Sequence, residues 1–222
     1  MFRKTIWKIV CVALLFYTVI AGLLLEVPRL NILNETIRNL YFHVPMWFGM
    51  TFLLISSLVY SIKYISNPLP KYDKWAVESV NMALLFGFLG IFTGMLWAKF
   101  TWGSFWSNDP KQNGAAIGIL IYLAYMLLRS SLEDEQRKAR ISGIYNIFAF
   151  TAYFPIIFIL PRLVSSLHPG AEGNPAFGAY DLDDQMRMVF YPAVIGWAML
   201  GFWITELRVR LRNAEDKMLD LD

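Results

Sequence analysis

The chain has 222 residues, of which 57% are apolar and only 17% are charged, and its formal net charge is +3. It is too apolar for a disordered protein, and its single cysteine excludes a disulfide framework or a cysteine-based metal cluster. A net charge this small also excludes nucleic-acid binding that rests on bulk positive charge.

The apolar residues are gathered into six windows without charged side chains, each 17–21 residues long. A transmembrane helix needs about 20 mainly apolar residues, and a soluble bundle would need polar helix faces that these windows lack. The first window follows basic residues, as in a signal peptide, but no cleavage site follows it, so we expect an uncleaved helix. The sequence predicts an all-α membrane protein, one domain over residues 1–222, with spans near residues 6–26, 44–64, 79–98, 112–129, 141–161 and 187–206.

Lysine and arginine residues are distributed unevenly between the two sides that six alternating spans define. Fourteen of the 20 lie on the same side as the two termini, and six lie on the other side. The positive-inside rule therefore predicts that both termini are cytoplasmic. Both histidines of the chain, and a tryptophan-rich loop between the third and fourth spans, then lie on the outer side.

The first histidine, His43, lies between residues 30–41 and Pro45. The apolar spacing of residues 30–41 predicts a short amphipathic helix on the outer interface, and Pro45 suits the beginning of the second span. We therefore expect His43 in the turn that joins the two helices.

The second histidine, His168, lies in a turn sequence just beyond the fifth span. Either histidine alone is more often an ordinary interfacial or loop residue than a ligand. Two histidines are too few for a zinc site unless carboxylates complete it, but they are the number that a haem iron needs as axial ligands. The position of both histidines on one side of the membrane favours a single haem between them.

Residues 102–111 offer flat aromatic side chains of the kind that suit a porphyrin. Four outer-side cations, Arg38, Lys99, Lys111 and Arg162, suit its propionates. The alternative is an aromatic belt at the membrane interface, which accounts for Trp47 and Trp97 but less well for a loop that also contains glycine, aspartate and proline. No C-x-x-C-H sequence is present, so a covalently attached haem is excluded, and no sequence motif for ATP binding or hydrolysis is found.

Three segments resemble the haem-handling "WWD" family of cytochrome c biogenesis, to which CcmC, CcmF and CcsA belong. Tyr41-Phe42-His43-Val44-Pro45 and Leu167-His168-Pro169-Gly170 are similar to the two histidine segments of CcmC. The stretch Trp102-Gly103-x-Phe105-Trp106-x-x-Asp109-Pro110-Lys111 is similar to the WWD motif, although its Asp-Pro-Lys ending is closer to CcsA.

The resemblance implies one non-covalent haem b with His43 and His168 as axial ligands of its iron. It implies a haem platform and basic positions at the following residues: Trp102, Gly103, Trp106, Asp109, Arg38 and Lys111.

The resemblance also implies a multi-pass protein of the bacterial cytoplasmic membrane that presents haem on its periplasmic face and has no chemical turnover of its own. The implied partners are the haem chaperone CcmE, the ABC-transporter subunits CcmA and CcmB, the small protein CcmD and membrane lipid, but no nucleic acid. Three alternatives stay open: an ABC-transporter permease subunit without haem ligation, a CcsA-like haem export or lyase component, and a b-type cytochrome that reacts with quinone. The last is disfavoured because no span contains a histidine.

Overall fold

A computed structural model describes residues 2–29, 33–168 and 182–219 of the chain. Within those residues, six helices are long and apolar enough to cross a membrane, which confirms the predicted all-helical architecture. The helices are α1 (Phe2–Leu24), α2 (Leu40–Ser66), α3 (Pro70–Trp102), α4 (Pro110–Ser130), α5 (Glu135–Phe154) and α6 (Asp184–Leu219). A π-helical turn, Pro155–Ile159, and a 3-10 turn, Leu160–Arg162, continue α5.

Several helices extend beyond the apolar windows because the charged residues at their ends have partners. Helix α3 begins nine residues before the window that starts at residue 79, and its first turns contain Asp73 and Glu78. Asp73 pairs with Arg129 of α4, and Glu78 pairs with Arg208 of α6. Hydropathy alone ends a predicted span at its first charge, whereas the backbone continues as a helix through charges that are neutralised by a neighbour.

The centre of the bundle is α2, which packs against α3, α5 and α6. Its side chains Met50, Leu53 and Leu54 are fully buried in the main core. Between membrane helices the driving force is close packing and polar contact rather than the hydrophobic effect. Accordingly, the amide of Asn146 in α5 donates to the hydroxyls of Ser57 and Ser61 in α2 at 2.7 and 2.8 Å.

The segment before α2 differs from its prediction. Residues 30–32 lie outside the described residues, and the remainder of the segment contains a five-residue 3-10 helix, Glu35–Asn39, that leads directly into α2. Ile37 and Tyr41 are buried in a second cluster with Phe190 of α6 rather than lying at an interface. Consequently His43 lies in the first turns of α2 and is itself buried, not in a turn between two helices.

The two ends of the bundle have different chemistry. The site end is formed by the loop 103–109 together with His43 and His168. The opposite end contains interhelical ion pairs, such as those of Lys8 with Glu206 and of Lys74 with Asp216. These pairs bring the beginnings of α1 and α3 to the end of α6, as six alternating helices require.

Candidate functional site

A cavity opens at the site end between α2, α3, α4 and the turns that follow α5. Its empty space is about 1210 Å³, open solvent at the mouth included. Both histidines line it, together with tryptophans and two cations: His43, His168, Trp47, Trp97, Trp106, Lys111 and Arg162. The structure therefore brings the two histidines to one concave, mainly apolar space of the kind that binds ligands.

The His43 ring is held from α3. Its Nδ1 lies 3.1 Å from the hydroxyl oxygen of Thr93. The rings of Trp47 and Trp97 meet it edge to face, with centroids 6.4 and 6.0 Å away. Gly94 lets the ring lie directly on α3, because a Cβ at that position would be 2.6 Å from Cε1 of His43.

The His168 ring is held by the loop. Its Nδ1 lies 2.8 Å from Oδ1 of Asp109, and the Trp102 ring meets it edge to face at 4.7 Å. The other carboxylate oxygen of Asp109 accepts hydrogen bonds from the hydroxyl of Ser166 at 2.8 Å and from the backbone N–H of Leu167 at 2.6 Å. One buried carboxylate thus fixes both the ring and the backbone of the segment that carries it.

Asp109 also begins α4, because its Oδ1 accepts the backbone N–H of Lys111 at 2.9 Å. Burial raises the pKa of this carboxyl, but the hydrogen bonds from His168, Ser166 and Leu167 outweigh burial and leave the pKa well below its usual value. The carboxylate therefore stays ionised and acts only as an acceptor at ordinary pH.

The rest of the loop is organised by both flanking helices. Gly103 ends α3 with φ 81°, a left-handed conformation that suits glycine, and its carbonyl accepts from Nζ of Lys99 at 3.0 Å. From α4, the Gln112 side chain accepts the N–H of Ser107 at 2.9 Å, and Asn113 accepts the indole N–H of Trp106 at 3.1 Å. This loop is ordered well beyond what an aromatic belt requires.

The sequence-predicted residues divide into two groups. His43, His168, Trp106 and Lys111 line the cavity, whereas Trp102, Gly103 and Asp109 hold its wall. Arg38 is not brought to the cavity wall. Its guanidinium donates to the carbonyl oxygens of Gly22 and Leu25 at 3.0 and 2.6 Å and pairs with Glu35, so it caps the end of α1.

Sequence reasoning missed the residues that hold the histidine ring and the tryptophan-rich loop in place. Thr93 and Gly94 lie inside an apolar window and belong to no motif, and the sequence places Gln112 and Asn113 in the fourth span. The signal that could have found Gly94 is its helical spacing from Gly90, which places two small residues on one face of α3. Arg162, counted only as an outer-side cation, reaches the cavity.

The residues present fit a haem. Each histidine has its Nδ1 beside a fixed acceptor, which leaves Nε2 as the nitrogen that could bind a metal. The indole Nε1 of Trp97 is buried at the cavity wall without a hydrogen-bond partner among the described residues. Lys111 and Arg162 provide positive charge for acidic groups on the ligand.

Fold and cavity together define a multi-pass membrane protein with a candidate bis-histidine site at one end. The chain belongs to the cytochrome C assembly protein family, whose model matches residues 1–168.

Relatives of this chain include proteins with two different names. It is 25% identical over 189 residues to heme exporter protein C of Haemophilus influenzae, covering 80% of this chain and 72% of the relative. It is 28% identical over 181 residues to heme exporter protein C of Bradyrhizobium diazoefficiens, covering 81% and 67%. It is also 36% identical over 106 residues to cytochrome c biogenesis protein CcsA of Pelargonium hortorum, covering 47% and 33%. The chain therefore spans only a third of that CcsA relative.

Proposed function

We propose that this protein handles haem for cytochrome c maturation by binding one haem b non-covalently between His43 and His168. The observation that carries the proposal is that the two histidines of the chain line one cavity, each with Nδ1 beside a fixed acceptor. Family membership supports the same function, because the relatives' names refer to heme export and cytochrome c biogenesis.

In this proposal, the chain supplies ligands, walls and charge. The Nε2 atoms of the two histidines bind the iron, and Trp97 and Trp106 contact the macrocycle. Lys111 and Arg162 are the cations that the cavity offers to the propionates. Arg38 acts indirectly, by holding the end of α1 against the segment that leads to His43.

The cavity faces outward if both termini are cytoplasmic, as the positive-inside rule predicts. Its open mouth leaves an edge of the disc accessible, so that a haem chaperone such as CcmE can take it. Interactions with the ABC-transporter subunits CcmA and CcmB and with CcmD belong to the same proposal, as does a location in the bacterial cytoplasmic membrane. The protein is then a transfer protein that changes no covalent bond in its cargo.

The visible spectrum of the purified protein tests the proposal. Wild type is expected to contain haem with the Soret and α bands of a six-coordinate, bis-histidine iron. His43→Ala and His168→Ala are each expected to lose that spectrum, and added imidazole is expected to restore it in part because it replaces the missing ligand.

Phe100→Ala is the matched control, since Phe100 lies near the same end of α3 and is 75% exposed. Its haem content should equal that of wild type. If wild type contains no haem, or if neither histidine substitution alters the bands, the proposed function is wrong.

Gly94→Ala tests the close contact beneath His43. The added methyl group would lie 2.6 Å from Cε1 of His43, so the ring must move. We expect about 10–100-fold weaker haem binding, the range typical of disturbed ligand support, with a partly five-coordinate spectrum. Gly143→Ala of α5 is the control, because its Cβ would meet nothing closer than 3.4 Å. Equal haem affinities of Gly94→Ala and Gly143→Ala would contradict a close contact between residue 94 and His43.

A CcsA-like export or lyase component is the second candidate, favoured by the 36% identity to a relative named CcsA. CcsA resembles this chain but normally has a further histidine pair within its spans. Because this chain has only two histidines, a second haem cannot distinguish the two candidates. Covalent attachment of haem to a cytochrome c apoprotein by the purified, haem-loaded protein would support a lyase component, whereas the proposed function predicts no such product.

A further inference from the structure

We propose that Thr93 is a positioning residue that sets His43 in the Nδ1–H tautomer before any ligand binds. Asp109 imposes the same tautomer on His168, so that both Nε2 lone pairs are available to the cavity in the free protein. The relevance to haem rests on the proposed function, but the tautomers themselves are a property of the chain alone.

The hydroxyl of Thr93 has one proton to donate. Its Oγ1 lies 2.8 Å from the carbonyl oxygen of Leu89 and 3.1 Å from that of Gly90, and carbonyl oxygens can only accept. The proton is therefore directed to the backbone of α3. The contact at 3.1 Å with Nδ1 of His43 must then be one in which the hydroxyl oxygen accepts and the imidazole donates.

The geometry at His168 leads to the same result by a different acceptor. Both oxygens of Asp109 act as acceptors, because one accepts the backbone N–H of Lys111 and the other that of Leu167, so Nδ1 of His168 donates to Asp109. In a neutral imidazole, a proton on Nδ1 leaves the lone pair on Nε2.

An unconstrained neutral imidazole prefers the opposite tautomer, with its proton on Nε2, and such a ring must exchange that proton before it can bind a metal through Nε2. Holding both rings in the Nδ1–H form removes this step. The rings of Trp47 and Trp97 and the backbone at Gly94 confine His43 further, so its nitrogen is offered in a fixed direction. Thr93 thus acts through His43 and need not touch the ligand.

Nitrogen NMR can read these tautomers directly, because the chain has two histidines. The protein is labelled with 15N-histidine, purified without a polyhistidine tag and studied free of haem at a pH about two units above the ordinary histidine pKa, where the neutral imidazole predominates. His43→Gln removes one imidazole and thereby assigns the spectrum. We expect a protonated Nδ1 and an unprotonated Nε2 for both rings in wild type.

Thr93→Val keeps the shape of the side chain but removes the hydroxyl acceptor, so His43 is expected to shift toward the Nε2–H form while His168 is unchanged. Haem affinity should fall about 10–100-fold, as is typical when the partner of a ligating histidine is lost. Thr93→Ser keeps the hydroxyl and should match wild type in both measurements. Thr101→Val is the matched control, because its hydroxyl also bonds the carbonyl four residues earlier, at 2.7 Å, without a histidine partner.

An Nε2–H tautomer at His43 in wild type would overturn the inference, and so would an unchanged tautomer in Thr93→Val. The wild-type spectrum and Thr93→Ser keep the test decisive even if the valine variant fails to fold. Either negative result leaves haem binding by His43 intact. Conversely, a wild type without haem would contradict the proposed function and leave the tautomers standing.

Discussion

Asp109→Asn is expected to abolish most haem binding and to destabilise the site end of the bundle. The carboxylate accepts from four groups: the N–H of Lys111, Nδ1 of His168, the hydroxyl of Ser166 and the N–H of Leu167. An amide of the same size has one acceptor atom where the carboxylate has two. Whichever way it turns, its NH₂ group faces a backbone N–H.

The two orientations of the amide have different consequences. If its NH₂ faces His168, the imidazole must accept, its proton moves to Nε2 and the metal-binding nitrogen is blocked. If its NH₂ faces Leu167 instead, the segment that carries His168 loses its anchor. Either outcome is expected to cost at least the 10–100-fold in affinity that such partners usually contribute. Asp109→Ala, which leaves buried donors unpaired, is expected to lower the free energy of unfolding by about 3–5 kcal/mol.

Asp134→Asn provides a closely matched control. Asp134 also begins a helix, since its Oδ1 accepts the N–H of Arg137 at 2.7 Å, but it is exposed. Asparagine and aspartate are nearly equal as helix N-caps, so this variant should keep wild-type haem content and thermal stability. Haem titration and thermal unfolding in detergent measure both effects. Wild-type affinity in Asp109→Asn would show that His168 does not depend on this carboxylate.

The sequence predicted the number of helices because their interiors are uninterrupted apolar runs, and length alone decides that question. It did not predict where helices end. The windows stop at charges such as Glu78, whereas the helix continues because Arg208, 130 residues later, neutralises that charge. A pairing over that distance leaves no periodic signal in the sequence.

The sequence predicted which residues lie together where the residue type is scarce, but not where the residue type is versatile. Two histidines predicted to share one face do line one cavity. An arginine, by contrast, suits a propionate and a helix end equally well, and the structure has Arg38 at a helix end. The contact of Thr93 with His43 could not be predicted for a related reason, since a threonine inside an apolar span usually bonds only the backbone of its own helix.

The buried carboxylate of Glu78, at the opposite end of the bundle, carries the second large expected effect. Its side chain is 1% exposed, and it pairs with Nε of Arg208 and Nε of Arg212, two residues that are themselves 47% and 39% exposed. Asn81 donates to the same carboxylate at 3.0 Å. The cations can reach water when the pair is broken, but the anion cannot.

This asymmetry makes the outcome depend on which partner is removed. Arg208→Met with Arg212→Met leaves a buried charge without a cation, and we expect the free energy of unfolding to fall by about 3–5 kcal/mol. Glu78→Gln alone should cost less, because the two arginines stay hydrated. Adding Glu78→Gln to the double methionine variant should therefore recover stability, since replacing a whole buried ion pair with uncharged groups is often close to neutral.

Unfolding of the four proteins in detergent, followed by tryptophan fluorescence, measures this coupling. If the triple variant is less stable than the double variant, the buried charge is not the source of the loss. Haem titration of the same proteins separates the two ends of the molecule. Glu78, Arg208 and Arg212 are not among the described residues that line the cavity, so affinity should stay at the wild-type value in every variant that folds. A fall in affinity that followed stability would instead mean that the cavity depends on the whole bundle.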